Sequence, residues 1–149
     1  MDERYAFVLM TKEKYWVQFR ERSLEGKETQ SFVLRGVAPP KNTRFLLFYV
    51  SKPVKALAGR AEFIERRVGS PEMVWNEFGN ESVLGSKRSF EEFIGNPGQV
   101  SFIRFNNLKV AANPVSLSGL LMFLGVKRLS RKGFYLEKST AVKLVSMME

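Results

Sequence analysis

The sequence predicts one α+β domain built on a small mixed sheet or barrel, and three observations carry that expectation. The chain has 149 residues, 44% hydrophobic and 26% charged, the balance of a single compact domain. Two apolar runs, Tyr5 to Met10 and Arg44 to Tyr49, are continuous rather than alternating, as in strands buried on both faces. About six strand-like segments are separated by brief helices, without the regular long helices that a parallel doubly wound sheet needs.

Each element has its local reason. After the strand at Tyr5 to Met10, Thr11 is a candidate N-cap for an amphipathic helix reaching about Arg22, with Tyr15, Phe19 and Trp16 at helical spacing. Gly26 to Arg35 reads as a turn followed by a strand, and Val37-Ala38-Pro39-Pro40 breaks regularity before the buried run RFLLFY. Leu57 to Arg66 reads as the neighbouring strand, with Gly59 at a bulge or close backbone approach. Ser70-Pro71-Glu72 is a helix start, with a hydroxyl cap, proline at the first position and an acid at the positive end of the dipole; Gly79 closes it. Its apolar side is Met73, Val74, Phe78 and Trp75, which places Trp75 in the core. Ser89-Phe90-Glu91-Glu92 matches a capping box ended by Gly95. Strand character returns at Gln99 to Phe105 and at Leu108 to Ala111, with Asn106-Asn107 as an interruption. Ser116 or Ser118 caps Gly119 to Leu124, Gly133 to Leu136 reads as a last short strand, and Ser139 to Met148 fits strand or helix equally.

Composition bounds the function. The chain contains no Cys and no His, which removes the usual ligands of zinc, copper, haem and iron–sulfur centres and excludes His-based triads and Cys nucleophiles. No metal and no cofactor are expected. No window approaches the ~20 apolar residues of a membrane span, and the acid-bearing start lacks a cleavage pattern, so the expected place is the cytoplasm with no membrane partner. Lys and Arg number 24 against 15 Asp and Glu, a formal charge of +9, which points to an anionic partner, with nucleic acid first.

Candidate contacts follow. Tyr49, Ser51 and Lys52 end a buried strand, where a loop presents side chains from a rigid base. Lys127, Arg128, Arg131 and Lys132 surround Leu129 and Ser130 with no acid among them and lead into Phe134 and Tyr135; ammonium and guanidinium groups suit backbone phosphate, and Tyr135 suits stacking on a base. Trp16, among Lys12, Lys14 and Arg20, is a second stacking candidate. Arg60, Arg66 and Arg67 share their segment with Glu62 and Glu65, so local ion pairing competes there.

The segment FLLFYVSKPVKALAGRAEFIERRVGSPEMVWNEFG, Phe45 to Gly79, resembles the PUA-like superfamily, which includes ASCH, EVE and PUA domains. The likeness lies in Tyr49 and Ser51, then Gly59, Ala61 and Glu62, then Ser70, Pro71 and Trp75. The later Ser89-to-Gly95 helix, Asn106-Asn107-Leu108 and Asn113-Pro114-Val115 resemble an archaeal branch of uncharacterised PUA-like proteins. The resemblance implies a single domain over residues 1–149, a small mixed β-barrel of PUA-like type with short inserted helices.

It also implies a ligand cleft between the Gly26 to Arg35 segment and the loop after Tyr49, where Lys27, Arg35, Ser51 and Lys52 meet phosphate or a base edge and Tyr49 forms a wall. ASCH domains often carry a Gly-x-Lys-x-x-x-x-Arg-like segment after the first helix, and in a few small members a Lys, a Thr and a Glu are implicated in amide hydrolysis of acylated cytidine. Here Gly26 takes the glycine position, Lys27 follows at once, Glu28 stands where that Lys belongs, Ser31 replaces the Thr, and Glu62 matches the acid. With the lysine out of register no catalytic residue is assigned. On an extended strand Lys27 and Ser31 would lie ~13 Å apart at the backbone. The expected function is a module binding RNA or a modified nucleotide in a basic cleft, as a monomer or a homo-oligomer. The alternative is an ASCH-type hydrolase acting on a modified nucleoside.

Overall fold

The structure, a computed structural model, describes residues 2–149. Its strands are β1 (Ala6–Thr11), β2 (Gln30–Arg35), β3 (Phe45–Val50), β4 (Ala56–Gly69), β5 (Val100–Ser116) and β6 (Phe134–Leu136). The helices are α1 (Glu13–Leu24), α2 (Pro71–Phe78), α3 (Lys87–Ile94), α4 (Leu117–Leu124) and α5 (Lys138–Met148). The strands form one mixed sheet in the order β2-β5-β4-β3-β1-β6. β1 and β3 run parallel, and every other neighbouring pair is antiparallel.

The central place of β3 explains its composition. Leu46, Phe48 and Val50 join Trp16 and Phe19 of α1 in one cluster. Leu47 and Tyr49, on the other face, join Leu120 of α4 and Ala141 and Leu144 of α5. A strand covered by helices on both sides has no wet face to keep polar, and each fully buried Leu or Phe contributes ~1.5–3 kcal/mol. A third cluster, Val33, Val74, Phe90, Ile94, Val100 and Phe102, seats α2 and α3 on the β2–β5 end.

Gly59 lies where β3 and β4 shift register. A Cβ there would stand 2.5 Å from the Trp16 ring and 2.6 Å from the Lys109 carbonyl oxygen, the close approach that only glycine allows. The two segments expected around Asn106-Asn107 are one strand, β5, which continues through Asn107 in a left-handed conformation, φ 53°. Ser70 caps α2 as expected, accepting from the Met73 N–H at 3.3 Å. The cap of α3 is Ser86 rather than Ser89, and Ser116 caps α4. Thr11 is the last residue of β1 with a buried, unpartnered hydroxyl, and Lys12 stands at the N-cap position of α1 without a side-chain bond. The ambiguous C-terminal segment is helix α5.

The barrel expectation is corrected: the sheet is not closed. β2 and β6 are its edges. Phe7 and Leu9 of β1 and Phe32 of β2 meet in one core cluster, so β1 and β2 face each other across the interior with no ladder between them. Beyond β5, β2 makes one isolated parallel bridge, Ser31 to Ser82. The sheet curls into an open trough with a seam between β1 and β2. Among the described residues no helix is long and apolar enough to cross a membrane.

Candidate functional site

Two adjoining cavities occupy the seam. The first, about 210 Å³, is lined by Met10, Tyr15, Phe19, Ser31 to Leu34, Ser82 to Leu84 and Phe93, with Lys12 at its rim. The second, about 350 Å³, is lined by Leu9, Met10, Phe32, Leu34 and Val37 to Pro39 together with Arg35, Arg131 and Lys132. Met10, Phe32 and Leu34 border both, which makes them one cleft with an apolar end and a basic end.

Three elements position the basic end. Arg35 is the exposed last residue of β2, and its guanidinium lies beside Gly95 at the end of α3. Arg131 and Lys132 belong to the loop entering β6. That loop is held by Gly133, at φ 84°, whose missing Cβ leaves room for the Val8 carbonyl and the Phe7 ring. Tyr135 fastens the opposite wall: its hydroxyl accepts the Lys41 N–H at 3.0 Å. Residues distant in sequence thus bring three cations to one opening.

The structure divides the remaining candidates. Ser51 starts the turn that joins β3 and β4; its N–H donates to the Thr11 carbonyl at 2.9 Å and its hydroxyl to the same oxygen at 3.4 Å. That turn, which includes exposed Lys52, borders α4 through the Leu117 N–H bond to the Lys55 carbonyl, 2.9 Å. Ser51 and Lys52 do not line the cleft, whose second wall is β1 rather than the loop after Tyr49. Tyr49 is buried against the opposite helical layer, and burial pushes its phenol pKa above the ordinary value. Lys127 and Arg128 follow the C-terminus of α4, where cations also complement the helix dipole. Lys27 is exposed beyond α1, with its N–H on the Arg22 carbonyl at 2.9 Å.

Of the two stacking candidates, Trp16 is corrected and Tyr135 is half-buried. Trp16 is 4% exposed and packs on Phe48, with ring centroids 5.3 Å apart. Tyr135 meets Phe7 edge-on at 4.9 Å, and the Arg4 guanidinium covers its ring at 4.9 Å. The sequence neighbours of Trp16 are basic, but the helix period turns its ring inward, while Tyr135 packs against the core by one edge. The aromatics that line the cleft are Tyr15, Phe19, Phe32 and Phe93. Phe93 comes from α3, and no local sequence signal ties it to β1 or β2.

Lys27, Ser31 and Glu62 are not assembled into one group. The Ser31 hydroxyl donates to Glu81 at 2.7 Å. Glu81 receives Arg104 bidentately, at 2.9 and 2.8 Å, and Arg104 also holds Glu65 at 2.5 Å and lies over the Phe78 ring at 4.4 Å. Hydrogen bonds and charge from Glu81 raise the Arg104 pKa, against burial. Glu62 accepts from Asn107 at 2.6 Å and borders a separate polar cleft with Glu28.

No family model matches the chain. Over 133 residues it is 26% identical to an ASCH domain-containing ribonuclease from Zymomonas mobilis, spanning 89% of this chain and 87% of that protein. The crystal structure of ASCH from Zymomonas mobilis superposes with a TM-score of 0.79 at 18% identity, covering 98% of this chain and 97% of the other. The chain has the ASCH fold. A serine-to-alanine variant of the Zymomonas ASCH protein gives a TM-score of 0.78 at 21% identity, with 100% of each chain covered. A tyrosine-to-phenylalanine variant gives 0.79 at 19%, with 98% of this chain and 100% of the other covered. These matches support the ASCH and PUA-like assignment and give no support to an archaeal branch.

Proposed function

We propose that this ASCH-fold protein binds single-stranded RNA in the seam between β1 and β2, with phosphates on Arg35, Arg131 and Lys132 and unpaired bases over the apolar floor of Met10, Phe32 and Leu34. The observation that carries the reading is the convergence of these three cations on one cleft. None of them has a carboxylate within ion-pairing distance among the described residues, whereas Arg60, Arg67, Arg88 and Arg104 each have at least one. The ribonuclease among its relatives supports RNA as the anion.

The test is anisotropy of labelled single-stranded RNA across a salt series. With about three phosphates neutralised, log K should fall against log salt with a slope of about −2. The variant Arg35→Ser/Arg131→Ser/Lys132→Ser should lose most of that slope. An unchanged slope in the folded triple variant would move RNA off the seam.

RNA cleavage is the second reading, favoured by the name of that relative. In a chain without His or Cys, it requires proton transfer by Tyr, Lys or a carboxylate. Burial raises the Tyr49 pKa and its ring lies outside the seam, and the Ser31 hydroxyl is held by Glu81. The reading is checked by following the same RNA for products over hours with wild type and Ser31→Ala, whose serine lines the seam. Product formation lost in the variant would favour cleavage.

A further inference from the structure

α4 is at odds with its surroundings. Its eight residues, LSGLLMFL, carry no charge, a composition normally found in fully buried helices. Leu120 is buried in the core cluster that also holds Leu47, Leu57, Val115 and Leu144, yet Met122 is 84% exposed, and Phe123 and Val126 are exposed beside it. Val54, also exposed, sits in the turn bonded to the start of the helix through Leu117 and Lys55. Exposed apolar residues are ordinary when scattered, whereas a contiguous group rimmed by polar residues marks an interaction site.

The rim has one sign. Lys52 and Lys55 stand at the start of α4, and Lys127 and Arg128 follow its end. No Asp or Glu occurs from Phe93 to Leu136, nor from Ser51 to Ala61. The patch is therefore apolar at its centre and positive at both ends. A second copy of this chain would set like charges against each other, on a molecule already at +9. RNA stacks on aromatic faces, and of this group only Phe123 has one. Met and Val side chains are instead matched by aliphatic side chains of a protein, with methionine adapting its shape to the partner.

We propose that the α4 face docks an acidic amphipathic segment of a partner protein, its apolar side chains on Met122, Phe123 and Val126 and its carboxylates toward Lys52, Lys55, Lys127 and Arg128. This surface is separate from the seam, whose lining includes none of these residues. The ASCH-fold protein would then join an anionic nucleic acid at one site to an acidic protein at another.

The probe is a fluorescein-labelled helical peptide with Leu at positions i, i+3, i+4 and i+7 and Glu at most others, compared with a scrambled peptide of the same composition. Titration at low salt should show the patterned peptide binding at least tenfold tighter than the scrambled one. Met122→Glu should lose at least tenfold of that affinity while keeping the thermal midpoint and the RNA affinity of wild type. Equal binding of the two peptides, no binding of either, or full binding by Met122→Glu would overturn the proposal. So would a dimer in size-exclusion chromatography that Met122→Glu dissociates, or Met122-dependent sedimentation with phosphatidylserine vesicles in the absence of peptide binding. A loss of RNA affinity in Met122→Glu would assign the face to RNA, a result distinct from failure of the seam.

Discussion

Arg104 and Arg35 come from paired neighbouring strands, β5 and β2, and meet opposite fates. At the junction of β4, β5 and the segment after α2, Arg104 is 17% exposed and Glu81 13%. Glu65, Glu81 and the Phe78 ring occupy the guanidinium, and Arg67 extends the group to Glu77 at 2.7 Å. At the seam, Arg35, Arg131 and Lys132 gather with no carboxylate in ion-pairing distance among the described residues. Charge alone does not distinguish the two regions; compensation does. On the proposed reading, the satisfied arginine holds structure together and the three seam cations meet an anion from outside.

The sharpest break in that contrast comes from Arg104. Arg104→Met keeps apolar cover on Phe78 but leaves Glu81 without its cation and Glu65 with Arg67 alone, at 3.6 Å. Half-buried carboxylates stripped of a partner should cost about 3 kcal/mol of folding stability, less than a fully buried pair would lose because Glu65 keeps water. Urea denaturation measures the loss, and RNA affinity of the folded variant should stay within twofold of wild type. A variant as stable as wild type that had lost RNA binding would reverse the roles of the two regions.

Gly133→Ala should cost somewhat less, about 2 kcal/mol, because its φ of 84° suits glycine and the new Cβ would strike the Val8 carbonyl and the Phe7 ring. Its diagnostic feature is a paired effect. The loop carrying Arg131 and Lys132 must shift, so RNA affinity should fall several-fold along with the thermal midpoint. Loss of stability with unchanged affinity would show that the loop's position does not matter to binding.

Ser31→Ala tests the satisfied side at a finer scale. It removes one hydrogen bond to a carboxylate that still holds Arg104 bidentately, so the loss should be about 1 kcal/mol by the same urea measurement, with RNA affinity unchanged. A catalytic role for Ser31 would instead appear as lost turnover at unchanged stability.

How much of this was legible in the sequence depends on the range of the interaction. Ser70-Pro71 starting α2, Gly59 at a close approach and RFLLFY as a doubly buried strand each follow from a few neighbouring residues. The open seam does not, because closure depends on whether β2 meets β1, and no local pattern encodes a pairing that fails to form. The basic run was visible at Lys127 to Lys132, but its division was not. Arg131 and Lys132 reach the cleft because Gly133 packs on β1, while Lys127 and Arg128 stay with the end of α4. Trp16 misled because basic sequence neighbours say nothing about which face of a helix a ring occupies. Glu81 and Arg104, far apart in the chain, carried no shared signal at all.

A smaller effect distinguishes the regions by pH. Burial raises the Tyr49 pKa above an unfolded value of about 10. The folded state therefore favours the neutral phenol, and its stability contribution is full below that value and lost as pH rises through the folded pKa. Comparing Tyr49→Phe with wild type cancels the other titrating groups. Between pH 9 and 11 the wild type should lose more stability than the variant, by at most about 1.4 kcal/mol per pH unit. Parallel curves would mean that the ring is not sequestered as the fold places it.

The smallest expected effect belongs to the seam, and it is close to zero. The chain has no His; Asp and Glu ordinarily titrate below about 5, and Lys and Arg above about 10. With no residue type in the chain that ordinarily changes charge near neutral pH, RNA affinity at constant ionic strength should vary less than twofold from pH 6 to 9. The salt slope should be the same at both ends of that range, since the number of displaced counterions does not change. A midpoint near pH 7 would require a group with a strongly displaced pKa at the RNA surface. Neither Tyr49, buried in the opposite layer, nor Arg104, bound to its carboxylates, is placed to supply it. Such a midpoint would therefore break the division between a satisfied interior network and the cation-lined seam.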